Sequence, residues 1–480
     1  MNEATSSRLI SYKQLAAALS LGLMLRLFFI VHFRFFAGDS HFYEELARNW
    51  LTRGVYGIFI RGQLTPVGMR MPGYPAFLAA IYAVLGQSSR TVMVVQAFID
   101  LGTCVLTALI AACLAPAPKR KLVATAALWL AALCPFTASY SAVVLTELLA
   151  TFLTALAILL LLQVLCDPSL NLPPASLERR TLLSHAGRYL LCGFVVGIGT
   201  LVRPEAPLLL AAMAIALGVR WWRPVDWSKL ALAGLWMAVG LLLPLTPWAA
   251  RNVLTLGRVQ YLASPWAQTD GDFIPLGYYG WIETWIVRSR DTYLATWKVG
   301  LEPVQIETLP KSAFDSPAEY ARVNALLIRY NRNRQMTPLL DQEFALLAQE
   351  RTARHPVRTY VFLPFARAWM LWFTPHIELL PYSGNLWPPA DRWRANPIDF
   401  SVTLGFGILG VAYAGLGLLG AWRSRFHPGF ILPMAYLVLR TALLTQRPTV
   451  EPRYMIVCIP LLLALGAVAL GPAGSSKAQQ

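Results

Sequence analysis

Long apolar runs alternate with short basic turns along this chain. Several runs extend for roughly 20 residues without a charge, enough to cross a hydrocarbon core. In lipid each segment must satisfy its own backbone polar groups, so unbroken runs of this length predict helices rather than barrel strands. The pattern predicts about ten spans, at 15–36, 91–114, 122–140, 141–166, 189–201, 204–219, 230–250, 400–422, 429–445 and 454–470. The apolar stretch Pro72–Gly86 is too short for a span and is read as a juxtamembrane helix. Before it, with Asp39 or Ser40 as N-cap, Phe42, Leu46, Trp50 and Leu51 share one helical face and Glu44, Glu45 and Arg48 the other. Gly54 stands where a C-cap glycine belongs, and this helix is expected along the membrane surface.

From Asn252 to about Asn396 the chain is polar. Ser316-Pro317-Ala318-Glu319 reads as a capping box, and Thr337-Pro338 opens a second helix that ends by His355-Pro356. The run Val357–Phe373 holds Arg358, Pro364 and Arg367 among aromatics and is read as interfacial. The organisation expected is an all-α polytopic membrane protein. It has an N-terminal membrane part at 1–253 with a first outer loop at 38–90, an extracytoplasmic helical region at 254–397, and a C-terminal membrane part at 398–480.

Composition supports this: 56% of the 480 residues are hydrophobic, 14% are charged, and mean hydropathy is +0.50. A net charge of +16 would suggest nucleic acid in a soluble protein. Here the basic residues fall in short loops. Arg8 and Lys13, then Lys119, Arg120 and Lys121, then Arg179 and Arg180 beside Glu178, then Arg220, Arg223 and Lys229, then Arg423 and Arg425 all fall on one side, which the charge rule makes the inside. Both termini lie there, and the first span reads as retained rather than as a cleaved signal peptide. All six cysteines sit in or beside apolar runs, so neither a disulfide framework nor a cysteine metal site is expected.

The opposite ends of the spans collect Asp39, Arg70, Glu147, Arg203, Glu205, Arg251, Asn252, Glu451, Arg453 and Tyr454. Ionisable groups near a bilayer edge are costly unless paired, which makes them functional candidates. Each also has a plainer reading. Asp39 can be a helix cap, which lowers its basicity. Glu147, about a turn inside a span, can be a buried acid paired with an arginine, and Arg203-Pro204-Glu205 can be a turn with an interfacial ion pair. Trp248, Tyr278 and Tyr279 read as belt or lid aromatics, and His41 as a solvated loop histidine, a base or a metal ligand. The sequence has no Walker loop, no GxGxxG following a strand, no HExxH and no G-x-S-x-G, so a sugar donor, if there is one, is not a nucleotide sugar.

Several motifs resemble the GT-C membrane glycosyltransferases, nearest to the branch with protein O-mannosyltransferase-like and aminoarabinose transferase-like enzymes. They are Gly-Asp-Ser-His-Phe-Tyr-Glu-Glu-Leu-Ala from Gly38, Arg-Met-Pro-Gly-Tyr-Pro from Arg70, Thr-Glu-Leu-Leu from Thr146, Leu-Val-Arg-Pro-Glu from Leu201, Pro-Trp-Ala-Ala-Arg-Asn from Pro247 and Glu-Pro-Arg-Tyr from Glu451. The resemblance covers about Leu15 to Leu470, except that 261–354 matches nothing. It implies a GT-C-like bundle in the inner or plasma membrane, with an extracytoplasmic site and Asp39 as its catalytic carboxylate. It also implies a polyprenyl-phosphate sugar donor whose hexose or pentose passes to an acceptor hydroxyl on a lipid, glycan or protein. Some relatives carry a paired-acid motif or a metal. Here Asp39 is followed by Ser40, which leaves a divalent metal, with Asp39 and His41 as its candidate ligands, in question.

On this reading Asp39 takes the acceptor proton. Arg70, Arg203, Arg453 and Tyr454 hold the lipid phosphate, because a guanidinium fork matches phosphate oxygens. Glu147, Glu205, Arg251, Asn252 and Glu451 bind sugar or orient the arginines. The alternative from another class is a lipid-linked sugar flippase or other polytopic transporter, which would favour charges near the bilayer middle and internal repeats.

Overall fold

The computed structural model describes residues 9–167, 179–221, 227–264 and 273–471. Arg8, Glu178 and Arg223, and the side chains of Arg179 and Arg180, lie outside the described residues. Contacts divide the chain into two compact units: residues 1–267, 377–437 and 456–480, and residues 268–376 with 438–455.

The first unit opens with α1 (Tyr12–His32) and the loop helix α2 (Gly38–Arg53), then strands β1 (Gly57–Ile60) and β2 (Gln63–Pro66). It continues through α3 (Gly73–Leu85), α4 (Ser89–Leu114), α5 (Arg120–Ala132), the short α6 (Pro135–Ser139) and α7 (Glu147–Leu165). α8 (Arg179–Val202), α9 (Leu208–Arg220) and α10 (Trp227–Leu256) follow. The second unit begins with α11 (Leu276–Glu283) and the single turn α12 (Ser289–Asp291), then α13 (Pro317–Asn333), α14 (Pro338–Arg354) and α15 (Leu363–Phe373). The chain closes with α16 (Pro389–Ala395), α17 (Pro397–Ser424), α18 (Ile431–Thr445) and α19 (Ile459–Leu470). Among the described residues, eight helical segments are long and apolar enough to cross a membrane, and α3, α9 and α18 are shorter apolar helices. The polytopic all-α fold is the expected one.

Glycines set how closely the helices pack. A Cβ on Gly193 of α8 would lie 2.1 Å from the Met237 carbonyl oxygen, and one on Gly240 of α10 would lie 2.2 Å from that of Leu190. Gly420 of α17 leaves still less room against Leu465 of α19, with 1.7 Å to its carbonyl oxygen. In lipid, close backbone approach of this kind supplies the association energy that water would otherwise provide. Inside the first unit, Arg26 of α1 is wholly buried, facing the interior as expected. It donates to Asp100 of α4 at 2.9 and 2.6 Å, and to the carbonyls of Gly22 and Ala132 at 2.8 and 2.9 Å. The partner Asp100 went unnoticed in the sequence, since a single acid in an apolar run carries no periodic signal.

A hairpin follows Gly54. β1 and β2 pair antiparallel with Ile60 opposite Gln63, and Arg61 and Gly62 take positive φ of 51° and 82°, the pattern of a type I′ hairpin. The face of α2 that is buried is not the apolar one: Ser40, Glu44, Leu46, Ala47 and Asn49 are buried, while Phe42, Trp50 and Leu51 are exposed. Glu44 faces inward because it accepts from Tyr82 Oη (3.1 Å) and Ser89 Oγ (2.5 Å), which tether α2 to α3 and α4. Tyr278 and Tyr279 are not belt or lid residues: both are buried in the core of the second unit, with Tyr278 edge-on to Phe344 at 4.9 Å.

The second unit keeps both predicted caps. Ser316 Oγ accepts from Glu319 N–H (3.1 Å), and Thr337 Oγ1 from Leu340 N–H (3.3 Å). Only half of the capping box forms, since the Glu319 carboxylate turns instead to Arg351 and Arg354. Asp315 accepts from Arg358 at 2.7 and 3.1 Å. Partial burial pushes its carboxyl up. The Arg358 hydrogen bonds and the charges of Arg351, Arg358 and Arg354 more than offset this, so it titrates below the usual aspartate range.

Two measurements follow. Gly420→Ala puts a methyl group against a backbone carbonyl, so the detergent-solubilised chain should lose folded yield and melt lower, by an overpacking cost of about 1–3 kcal/mol or more. Gly415→Ala, on the same helix with open space around it, should melt no lower than wild type. For Asp315 the folded pKa is depressed, so its contribution is complete above the ordinary aspartate value of about 4 and is lost as pH falls below that. The gap in melting temperature between wild type and Asp315→Asn should therefore be widest near neutral pH and shrink toward about pH 3.

Candidate active site

Asp39 owes its position to where α2 begins. The helix starts at Gly38 with Ala37 as its N-cap, and no side chain caps it. Neither Asp39 nor Ser40 is the cap, because the chain turns helical earlier than the sequence suggested. The carboxylate lies in the first turn, where the helix dipole favours its charged form. Freed from capping, it accepts from Arg70 Nη2 at 2.7 Å. The pair stays open to solvent, with Asp39 28% and Arg70 20% exposed.

Backbone contacts hold Arg70. Tyr56 Oη donates to the carbonyls of Arg70 (3.0 Å) and Met71 (3.3 Å). Gly73 lets α3 close on the end of α8: a Cβ there would sit 2.6 Å from the Leu201 carbonyl oxygen. That contact explains the glycine of Arg-Met-Pro-Gly-Tyr-Pro and brings the loop to the residue two before Arg203.

Arg203 stands between two carboxylates. Nη1 donates to Glu147 Oε1 (3.1 Å) and Thr146 Oγ1 (3.3 Å), and Nε donates to Glu205 Oε1 (2.9 Å). Glu147 and Glu205 are nearly buried, at 3% and 6% side-chain exposure. Glu147 is the first residue of α7 rather than a turn inside a span, because Tyr140–Ala142 forms a 3₁₀ turn and the chain is extended at Val143 before the helix begins.

Tyr43, which sequence reasoning passed over, connects the two groups. It is one turn from Asp39 on the same face of α2, and its ring meets Tyr74 edge-on at 5.1 Å. Burial raises its phenol well above the ordinary tyrosine value. Arg70 and Arg203 pull it down, while Asp39 and Glu147 push it up. The hydroxyl therefore lies in the field of both pairs and stays protonated. A tyrosine four residues after a candidate acid was the signal available in the sequence.

Arg251 and Asn252 are structural neighbours of this cluster. Arg251 donates to the carbonyls of Val67 (2.9 Å) and Tyr56 (2.6 Å) and to Asn252 Oδ1 (2.9 Å), and it lies against the rings of Tyr56 and Trp248. Asn252 donates to the Gln260 carbonyl (2.9 Å). Together they fasten the hairpin loop to α10, so their bonds hold Tyr56 and through it Arg70. In the second unit, Glu451 is buried, meets Arg453 at 2.6 Å and accepts from Trp297 Nε1 at 2.8 Å. Arg453 lies against the Tyr454 ring, with 5.1 Å to its centroid, and Arg440 holds the Tyr454 carbonyl at 3.0 and 2.7 Å.

The residues of the first loop do not fit a metal. Asp39 and His41 are two apart on a helix and do not face each other. The His41 ring stacks on Phe36. Glu44 is committed to Tyr82 and Ser89, and Glu45 to the Phe59 N–H at 2.7 Å. Among the described residues, no three His, Cys, Asp or Glu groups converge.

Neither a protein-family model nor a curated protein sequence matches the chain. Solved structures do. The archaeal oligosaccharyltransferase AglB from Archaeoglobus fulgidus, in complex with an inhibitory peptide and a dolichol-phosphate, aligns over 95% of this chain and 50% of its own, at TM-score 0.50 and 14% identity. ArnT from Cupriavidus metallidurans, bound to undecaprenyl phosphate, aligns over 96% and 78%, at TM-score 0.38 and 13% identity. The chain spans about half the length of the oligosaccharyltransferase, and the likeness to it is one of fold. The fold is the GT-C membrane fold that the motifs implied.

The two arginines should respond differently to removal. Arg203→Gln strands two nearly buried carboxylates, a loss on the order of 3–5 kcal/mol, so the variant should melt far lower in detergent. Arg70→Gln breaks a solvent-open pair worth about 0.2–1 kcal/mol and should melt close to wild type. Equal melting curves for the two would contradict the assigned burial.

Proposed function

We propose that this chain is a glycosyltransferase that moves a sugar from a polyprenyl-phosphate carrier to an acceptor hydroxyl, at the end of the bundle where α2 begins. The observation that carries this reading is the open Asp39–Arg70 pair, a carboxylate and a guanidinium at 2.7 Å where the first apolar helix ends. It combines a base with a phosphate-binding group at the boundary where a lipid-borne sugar would present its phosphate. The shared fold adds support, because the solved oligosaccharyltransferase complex holds a dolichol-phosphate and a peptide.

The reaction divides simply. The acceptor O–H gives its proton to the Asp39 carboxylate as the oxygen attacks the anomeric carbon. The bond from that carbon to the phosphate oxygen breaks, and its electron pair stays on the phosphate. An acidic phosphate ester leaves without a proton donor, so the second carboxylate of a hydrolase is not needed. Arg70 holds the phosphate, and the Tyr43 hydroxyl donates toward the transferring group. Arg203 already carries two carboxylates. Its role is therefore to shape the pocket with Glu147 and Glu205, and its share in phosphate binding is small. Glu451 orients Arg453, and Arg251 and Asn252 hold the loop.

Arg70 cannot serve Asp39 and the phosphate fully at once. The arriving phosphate draws it away, and the carboxylate, losing a nearby cation, becomes the stronger base. Donor binding thus prepares the base.

Asp39→Asn should abolish transfer from a labelled polyprenyl-phosphate sugar while the protein still binds the carrier phosphate, up to about fivefold more tightly because the carboxylate no longer competes for Arg70. Arg70→Gln should weaken that binding. Wild-type turnover by Asp39→Asn would remove the acid from its role. Unchanged carrier binding by Arg70→Gln would remove the clamp.

A further inference from the structure

The bundle carries a cavity at the ends of its helices far from Glu147. α7 is 19 residues long, so at 1.5 Å per residue its last residue lies about 27 Å from Glu147. There, the last turns of α4 and α7 and the part of α8 around Arg188 enclose a cavity of about 700 Å³. Its walls are mostly aliphatic, with Leu109, Leu159, Leu160 and Leu191 among them. Its polar groups are few: Gln163, Asp167, Arg120 and Arg188. Arg188 meets Asp167 at 2.5 Å and is 46% exposed. Arg120 is exposed, and its Nε makes one long bond of 3.4 Å to the Ala115 carbonyl.

We infer that this cavity binds an anionic glycerophospholipid, with the phosphodiester between Arg120 and Arg188 and an acyl chain along the leucine wall. Charge and shape agree. Two guanidinium groups against one carboxylate leave one positive charge among the lining residues, which one phosphodiester neutralises. A pocket with an aliphatic wall and cations at its mouth, among helix ends on the basic face of a membrane protein, suits a lipid headgroup with its chain. Lys119 and Lys121 on the same turn extend the positive surface. The inference does not depend on the catalytic reading, since the two sites lie at opposite helix ends.

Two cysteines allow a direct test. Cys113 and Cys166 line the cavity and are partly accessible, whereas Cys104, Cys134, Cys192 and Cys458 are buried. The full chain in detergent is treated with a maleimide, and modification at Cys113 and Cys166 is timed by peptide mass spectrometry. The probes are dioleoylphosphatidylglycerol, dioleoylphosphatidylcholine and inorganic phosphate. The anionic lipid should slow modification at least severalfold, and neither of the others should. Arg120→Gln with Arg188→Gln, compared with its own rate without lipid, should lose the protection. Should the double variant fold poorly, Arg120→Gln alone breaks no ion pair among the described residues, and it should need about fivefold more lipid for the same protection. Equal protection by the zwitterionic lipid or by free phosphate overturns the inference, as does full protection in the arginine variants.

Discussion

A charge at the edge of a hydrocarbon bundle must find a partner, and in this protein the partnership between Asp39 and Arg70 organises the first loop. The two residues are 31 apart in sequence and meet at 2.7 Å. Every element between them serves that distance. Glu44 ties α2 to α3 and α4, Asn49 Nδ2 donates to the Gly57 carbonyl at 2.9 Å, and the hairpin reverses the chain. Tyr56 then holds the Arg70 carbonyl, and Gly73 lets the next helix close on α8. Arg251 fixes the return strand from outside by donating to Tyr56 and Val67. A loop of this length would otherwise sample many conformations, and ordering it has an entropic cost that these buried polar contacts offset.

The ion pairs of the first unit divide by exposure, and exposure decides what each is for. Arg26–Asp100 is sealed, and its guanidinium is shared between one carboxylate and two carbonyls, which suits a joint between helices. Arg203 with Glu147 and Glu205 is nearly sealed and overcommitted, so it sets geometry. Asp39–Arg70 alone of these three remains open to solvent. Such a pair is held weakly, because water competes for both partners. Weak holding is a defect in a joint and a requirement in a site where an arriving anion must displace one partner.

The sequence showed the framework because lipid imposes a length and a charge asymmetry that composition cannot disguise. The long helices, the short α3, the Gly54 cap (φ 67°) and the caps at Ser316 and Thr337 were all legible for this reason. The inward turn of Glu44, the role of Asp100 and the position of Tyr43 were not. Each depends on a partner 31 or more residues away, or on which side of a short helix is covered, and periodicity is silent about both. The amphipathic pattern of α2 was legible, but not which of its faces the protein covers. A helix at a membrane edge can bury its polar face against protein and leave Phe42 and Trp50 outside, reversing the rule that serves soluble proteins.

The charge balance near α2 bears on how a donor would be held. Within the first unit the candidate residues comprise three arginines, Arg70, Arg203 and Arg251, and three carboxylates, Asp39, Glu147 and Glu205. The cluster is formally neutral, so a lipid phosphate gains little from long-range attraction and must compete for a guanidinium already in use. Arg203 resists that competition because releasing it would leave two nearly buried carboxylates without their cation. Arg251 resists it because two backbone carbonyls and two aromatic rings hold it. Arg70 yields most easily, since the carboxylate it leaves behind can be solvated. On the proposed reading, the arginine best placed to meet a phosphate is thus the one whose departure removes a cation from beside Asp39, and both properties follow from the same exposure to water.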